Sequence, residues 1–504
     1  MRVLLDTNIL IHREANRILN QDIGNLFGWF DKLHYEKCVH PLSLTEIERY
    51  QDEKIVDTIK TKIQNYSLLK TVAPEYPEIE EIRKKYDRND NDKIDTELLK
   101  EVFAKRVDYL VTEDRKIHQK AFDLGINGRV FSIDSFLEKV TAENPDLAEY
   151  KTLSVKKEYF GNIDINDDFF DSFRRDYPEF DKWFNSKADE IAYICRSDKG
   201  QIVAFLYVKV EREDENYSDI SPTFDKKKRL KIGTFKVVSN GYKLGERFLK
   251  IIFDNALRNK VDEVYVTLFD YTEDQERLMG LLTDWGFSYH GEKHTPAGNE
   301  QVFTKNFNPI PDATHPKITY PFIDKNRRYF IVPIYPEYHT ELFPDSILNN
   351  ESPDDFIENQ PHRNAIQKVY ISRSYYKDLN PGDIIVFYRT GGRYKGVVTT
   401  IGIVEDAITD INSEEDFISL CRKRSVFTDE ELSNYWNYNP RNRPFIVNFL
   451  YLYSFPKRPN LQSLIDMGVI RDTSSVPRGF EEITQDQFDL ILGASNTDES
   501  FIIN

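Results

Sequence analysis

A chain of 504 residues exceeds what one hydrophobic core usually supports, so two to four domains are expected. Its 40 % hydrophobic and 30 % charged residues are the composition of an ordinary globular protein, and no run approaches the roughly 18 apolar residues that span a bilayer. A net charge of −17 excludes general coating of nucleic acid by phosphate neutralisation, so any such contact has to be a local patch.

The N-terminus starts directly on a strand and shows no signal peptide, which predicts a cytoplasmic protein without membrane contact. Cys38, Cys195 and Cys421 lie far apart, offer neither a disulfide framework nor a zinc site, and are expected in the core.

Residues 1–145 read as βα repeats on a parallel sheet. The apolar run Val3 to Leu5 is a buried strand that delivers Asp6 to its C-terminal end, where open α/β sheets place ligands. A helix is expected over 14–32, and a short strand, Cys38 to His40, is closed by Pro41. Ser43 and Glu46 then form an S-x-x-E capping box, which alone would account for Glu46. The polar turn 87–92 feeds a helix over 93–105 that carries Asp95 near its start. The strand Tyr109 to Thr112 leads to Asp114. Four carboxylates brought to one sheet edge cannot all stay ionised cheaply without a cation between them.

The pattern D-T-N, T-E-I, D-T-E-L-L, Y-L-V-T-E-D resembles the PIN-domain nucleases over roughly residues 1 to 140. The resemblance implies that Asp6, Glu46, Asp95 and Asp114 are both catalytic and the ligands of Mg²⁺ or Mn²⁺, with Asn8 and Thr112 orienting groups around the ion. Asp92 is expected just outside it.

After the polar connection 141–146, residues 150–307 read as a second domain. An aromatic-rich helix over 167–185, two strands at 190–195 and 201–210, and an exposed loop over 211–230 are expected. The strand ending at Val238 then runs through Asn240-Gly-Tyr-Lys-Leu-Gly245 into an amphipathic helix. Such a junction lets backbone N–H groups face a pyrophosphate on the positive helix end. With the following strand 264–268, helix 273–282 and Trp285 to Tyr289, it resembles motif A of the GNAT acetyltransferases. The resemblance implies an acetyl-CoA site at Val237, Val238, Gly241, Tyr242, Lys243, Leu244, Gly245 and Glu246. The chain departs from the family at Asn240, at Lys243, and at Leu282 in place of the general-acid tyrosine. No carboxylate or histidine in the strand 231–238 offers a base; Tyr289 and His290 are substitutes.

A Pro-rich stretch, 308–316, reads as a spacer before a third domain, 318–504, whose strands predict a small mixed β-barrel. The sequence L-N-P-G-D-I-I-V-F-Y-R, 379–389, resembles the ASCH, EVE and PUA group of RNA-related domains. Lys and Arg interleaved with tyrosine over 363–395 have the composition of a single-strand binding face, with Arg373, Tyr376, Arg389 and Arg393 its candidate contacts.

The expected molecule is thus a multidomain α/β protein: a PIN-like parallel-sheet domain, a GNAT-like α+β domain and a PUA-like barrel. It is read first as a metal-dependent ribonuclease with an RNA-selecting C-terminal domain. The alternatives are an N-acetyltransferase acting on a nucleic acid or protein, with the first domain as platform, and a CoA-responsive RNA-binding regulator without enzymatic activity.

Overall fold

The computed structural model describes residues 1–14, 21–49, 53–63, 65–143, 155–197, 199–238, 243–309, 312, 314–343, 365–392, 395–422 and 424–503. Where the sequence predicts three domains, the chain divides into two compact units, Met1–Glu149 and Tyr150–Asn504. Among the described residues no helix is long and apolar enough to cross a membrane.

The first unit carries strands β1 (Arg2–Leu5), β2 (Glu36–Val39), β3 (Ser67–Leu68), β4 (Tyr109–Val111) and β5 (Val130–Phe131). Its helices are α1 (Thr7–Glu14), α2 (Gln21–Lys32), α3 (Pro41–Ile47), α4 (Glu53–Ile63), α5 (Pro77–Tyr86), α6 (Asp90–Phe103), α7 (Arg115–Asp123) and α8 (Ile133–Glu143). The sheet is parallel throughout, in the order β3-β2-β1-β4-β5. Val3, Leu4, Leu5, Leu110 and Val111 are buried, as a strand covered on both faces requires. The chain leaves β1 toward β2 and returns on its other side as β4. The topological switch therefore falls between the C-terminal ends of β1 and β4.

The second unit begins with β6 (Val155–Tyr159), α9 (Asp171–Asp176), α10 (Phe180–Asn185), β7 (Ile191–Arg196), β8 (Ile202–Glu211) and β9 (Ile220–Ser221). The long aromatic helix predicted over 167–185 is broken between α9 and α10 at Tyr177-Pro178, because the residue before a proline disfavours helical backbone. The predicted exposed loop after β8 instead folds Tyr217 and Phe224 against Tyr265. Next come β10 (Arg229–Val237), α11 (Leu244–Asn259), β11 (Glu263–Leu268), α12 (Glu273–Asp284), β12 (Ser288–Thr295) and β13 (Gly298–Asn306). These strands make an eight-stranded sheet in the order β6-β7-β8-β10-β11-β13-β12-β9, in which β10 and β11 are the parallel pair.

The same unit continues through α13 (Pro316–Thr319) and strands β14 (Ile323–Asp324), β15 (Tyr329–Ile334), β16 (Gln367–Ser372), β17 (Ile384–Arg389), β18 (Val397–Ile408), β19 (Phe445–Ser454), β20 (Glu481–Ile483) and β21 (Ile502–Ile503). Six of these form a mixed sheet, β16-β19-β18-β17-β15-β20. Its edge strands β16 and β20 do not pair with each other among the described residues, so the predicted barrel is an open sheet. The three-residue β20 is too short to carry the ladder onward.

On either side of the predicted spacer 308–316, the described residues share one core. Pro316 opens α13 at its first position, and Tyr320 then packs on Trp285 and Phe253, with ring centroids 5.2 and 5.6 Å away. One apolar cluster runs from Cys195 to Phe501. Lys305 clasps the junction by donating to the carbonyls of Trp285 (2.7 Å) and Ile318 (2.6 Å), and burial pushes its ammonium down to about 7.

Candidate functional site

Two places in the fold bring chemistry-bearing groups together. The first lies at the switch point of the parallel sheet. Asp6 follows β1 directly and is 6 % exposed; its N–H donates to the Val111 carbonyl of β4 at 3.1 Å. Thr112, buried after β4, donates its hydroxyl to Asp6 Oδ2 at 2.7 Å and accepts the Asp114 N–H at 3.0 Å. One hydroxyl thus fixes both strand ends. Asp114 in turn caps α7, accepting the Lys116 N–H at 2.6 Å.

Glu46 sits half-buried in the last turn of α3 and is not a capping residue. Pro41 occupies the first helical position, which makes His40 the cap: its Nδ1 accepts the Leu42 N–H at 3.2 Å. Ser43, the predicted cap, is buried inside the helix. The structural explanation for Glu46 therefore falls away. Asp92, by contrast, is consumed by the capping box of α6: its side chain accepts the Asn89 and Arg88 N–H groups at 3.3 and 2.9 Å and meets Lys116 at 3.0 Å. Asn8 is exposed on α1.

The electrostatics join the four acids. Burial pushes the Asp6 carboxyl up to about 6, against the Thr112 hydrogen bond, and the charges of Glu46 and Asp114 push it further. Burial likewise raises Asp95 to about 7; Lys120 opposes the rise, while Asp114, Asp6 and Asp92 add to it. An oxygen-only donor set whose charge is left unrelieved fits a hard divalent cation in its chemistry. Its spacing is looser: among the described residues no three His, Cys, Asp or Glu side chains are gathered closely enough to hold an ion. Lys120 and Asp87, which belong to the same neighbourhood, escape the sequence reading. The four-residue step from Lys116 to Lys120 on α7 was the available signal.

The second place is a fork in the eight-stranded sheet. β10 and β11 pair in parallel from Arg229↔Glu263 to Ile232↔Val266, and there the pairing stops. A register irregularity at Gly233 marks the point. Beyond it β10 continues against β8 to Val237, while β11 continues against β13 to Leu268. Two strand edges thus face a crevice without pairing across it.

α11 begins past the end of β10, after Lys243, which holds a left-handed conformation (φ 56°) and makes no side-chain cap hydrogen bond. Its first N–H groups therefore face out of the helix end. Gly245 is a packing residue: a Cβ there would come within 2.9 Å of Leu281 Cδ2 on α12. The Glu246 side chain accepts the N–H groups of Ile366 (3.0 Å) and Gln367 (3.1 Å) and lies 3.6 Å from the Lys243 ammonium. Although burial opposes it, Lys243 and Arg424, with the Gln367 N–H, hold this carboxyl below its ordinary range. Val237 is half-buried and Val238 exposed; Asn240, Gly241 and Tyr242 lie outside the described residues. Leu282 is fully buried core. Of the substitutes for a base, His290 is held by the Pro222 carbonyl (2.8 Å) and the Phe224 ring, and Tyr289 is exposed.

Among the described residues, the basic and aromatic stretch 363–395 is divided between surface, where Tyr375 is exposed, and core. Alternation along the strands sends Lys368 and Tyr388 into the core. Arg373 turns inward, lying over the Tyr435 and Tyr438 rings (4.9 and 5.5 Å) and donating to the carbonyls of Asn439 and Asn442. The Tyr376 hydroxyl accepts from Arg328 at 3.0 Å, and its ring packs on Phe330. Arg389 is half-buried at the end of β17; Arg363, Arg393 and Tyr394 lie outside the described residues.

No protein-family model matches this chain, and no curated protein does. Among solved structures it is similar to the NatC complex bound to Gag peptide and CoA, at 14 % identity and a TM-score of 0.21 over 30 % of this chain and 97 % of that one. It is also similar to a GNAT-family acetyltransferase from Streptococcus agalactiae, at 11 % and 0.22 over 31 % and 96 %. A third is Arabidopsis thaliana NAA60 in complex with acetyl-CoA, at 14 % and 0.22 over 30 % and 99 %. At these scores the likeness carries no weight of its own, and the fork stands on its strand pairing.

Proposed function

We propose that the second unit binds acetyl-CoA and is an N-acetyltransferase of the GNAT type. The observation that carries this reading is the fork between β10 and β11. An extended, amide-bearing arm can hydrogen-bond the strand edges in the crevice, as peptides add to open sheet edges. At the end of β10 the same crevice meets the helix α11, whose N-terminal N–H groups and dipole favour a pyrophosphate. Lys243, ion-paired with Glu246 at 3.6 Å, places an ammonium beside that end. In calorimetry the unmodified protein is expected to bind acetyl-CoA, and Lys243→Glu to bind it roughly tenfold more weakly, as a charge reversal near a polyanion requires. No binding by the unmodified protein would refute the reading.

A second reading belongs to the first unit. The burial of Asp6 and Asp95, with the neighbouring carboxylates adding to its cost, favours a site for Mg²⁺ or Mn²⁺ in a PIN-like nuclease acting on RNA. Asp6, Glu46, Asp95 and Asp114 would hold the ion. When bound, it would supply Lewis acidity and an activated water for attack on a phosphodiester. Thr112 keeps Asp6 and the start of α7 in register, which is what the chain itself contributes to positioning.

A further inference from the structure

Lys120, on α7, is 1 % exposed. Its ammonium donates to Asp87 Oδ1 at 3.1 Å, to Thr96 Oγ1 at 3.0 Å and to the Asp92 carbonyl, and it lies 3.8 Å from Asp95 Oδ2. The Asp87 side chain is also buried, and its second oxygen, Oδ2, has no hydrogen-bond partner. A compact point charge in this position is retained only if carboxylates compensate it, and two of them do. One is Asp87, which takes no part in the four-acid cluster. The other is Asp95, which does.

We propose that Lys120 is the resident counter-ion of the cluster, shared between Asp87 and Asp95, and that it competes with a divalent cation for Asp95. The inference rests on the metal-site reading of Asp6, Glu46, Asp95 and Asp114. It accounts for a cluster that repels itself and yet gathers no three donors at one point: one donor is already engaged by an ammonium. Lys120 is a positioning residue, acting on the ion through Asp95.

Two substitutions move the ammonium in opposite senses. Lys120→Met deletes the charge and keeps most of the aliphatic stem, whereas Asp87→Asn releases the ammonium toward Asp95. Mn²⁺ is titrated into the full chain at neutral pH without nucleic acid, and binding is read by calorimetry. Lys120→Met is expected to bind Mn²⁺ roughly tenfold more tightly than the unmodified protein, and Asp87→Asn roughly threefold more weakly. Since Lys120→Met leaves Asp87 buried without its cation, the double variant Lys120→Met/Asp87→Asn is measured beside Asp87→Asn and is expected to bind more tightly than it. Binding by the Lys120 variants alone, with none by the unmodified protein, also supports the competition. Equal affinity in all four proteins overturns it and leaves the metal site standing. Absence of Mn²⁺ binding in all four overturns both.

Discussion

Asp6→Asn is expected to stabilise the first unit at about pH 8 and, on the proposed nuclease reading, to abolish metal-dependent cleavage of RNA. The amide keeps an acceptor for the Thr112 hydroxyl but removes the charge that burial, Glu46 and Asp114 all penalise. A carboxyl raised from 3.8 to about 6 is a penalty on the order of 3 kcal/mol above that range. The sign follows from proton binding. Between the unfolded and folded values the native state holds more protons, so stability falls as pH rises through that window, and the full penalty applies above it. Asp95, raised to about 7, extends the window upward, and its own replacement by asparagine gains in the same sense. Urea unfolding in EDTA, followed by amide exchange in β1 and β4, should show the gain at about pH 8 and almost none near pH 4. If the proposed metal site holds, saturating Mn²⁺ should shrink it, because a bound ion would relieve the same repulsion in the unmodified protein. A variant less stable than its parent at the higher pH would sink the account of the cluster as buried charge that its surroundings compensate only in part.

A chain ending at residue 307 is expected to lose the folded state of its second unit. Trp285, Phe253 and Phe307 bury their rings against Tyr320 and Phe322 across the position of the cut. Re-exposing each large apolar side chain costs about 1.5–3 kcal/mol, so three of them already rival a typical net stability of about 5–15 kcal/mol. The cut also strips Glu246 of its N–H donors Ile366 and Gln367, leaving a carboxylate without them beside the start of α11. Lys305 loses the Ile318 carbonyl. Near-ultraviolet dichroism and dye binding on the truncated protein should report lost packing. A truncated chain that melts cooperatively and binds acetyl-CoA with full affinity would show that the shared core is dispensable.

The positions of the four acids in the first unit follow from local sequence, since Asp6 and Asp114 come after strands and Glu46 and Asp95 lie in helices. The reason for Glu46 was misread, since Ser43 matches a capping box on paper while Pro41 had already shifted the helix start to His40. Near the predicted boundary at 308–316, composition does not reveal that Pro316 opens a helix and that Tyr320 joins the preceding core. The Arg and Tyr residues of the last segment show the limit of composition. Stacking of Arg373 on Tyr435 depends on a helix, Asp429–Asn437, more than fifty positions away in the chain, and no local pattern announces it. Lys120 is hidden in the same way, its meaning set by Asp87 and Asp95 on neighbouring elements.

The parting of β10 from β11 has a kinetic signature that does not depend on knowing what binds there. Along β10 past Ile232, amides on the β8 side are locked in a ladder, while those turned toward β11 have no strand to bond. The two sets should exchange their protons for deuterium at very different rates within one short stretch of backbone. An occupant of the crevice would slow the fast set and leave the slow set unchanged, so the alternation itself reads out occupancy residue by residue.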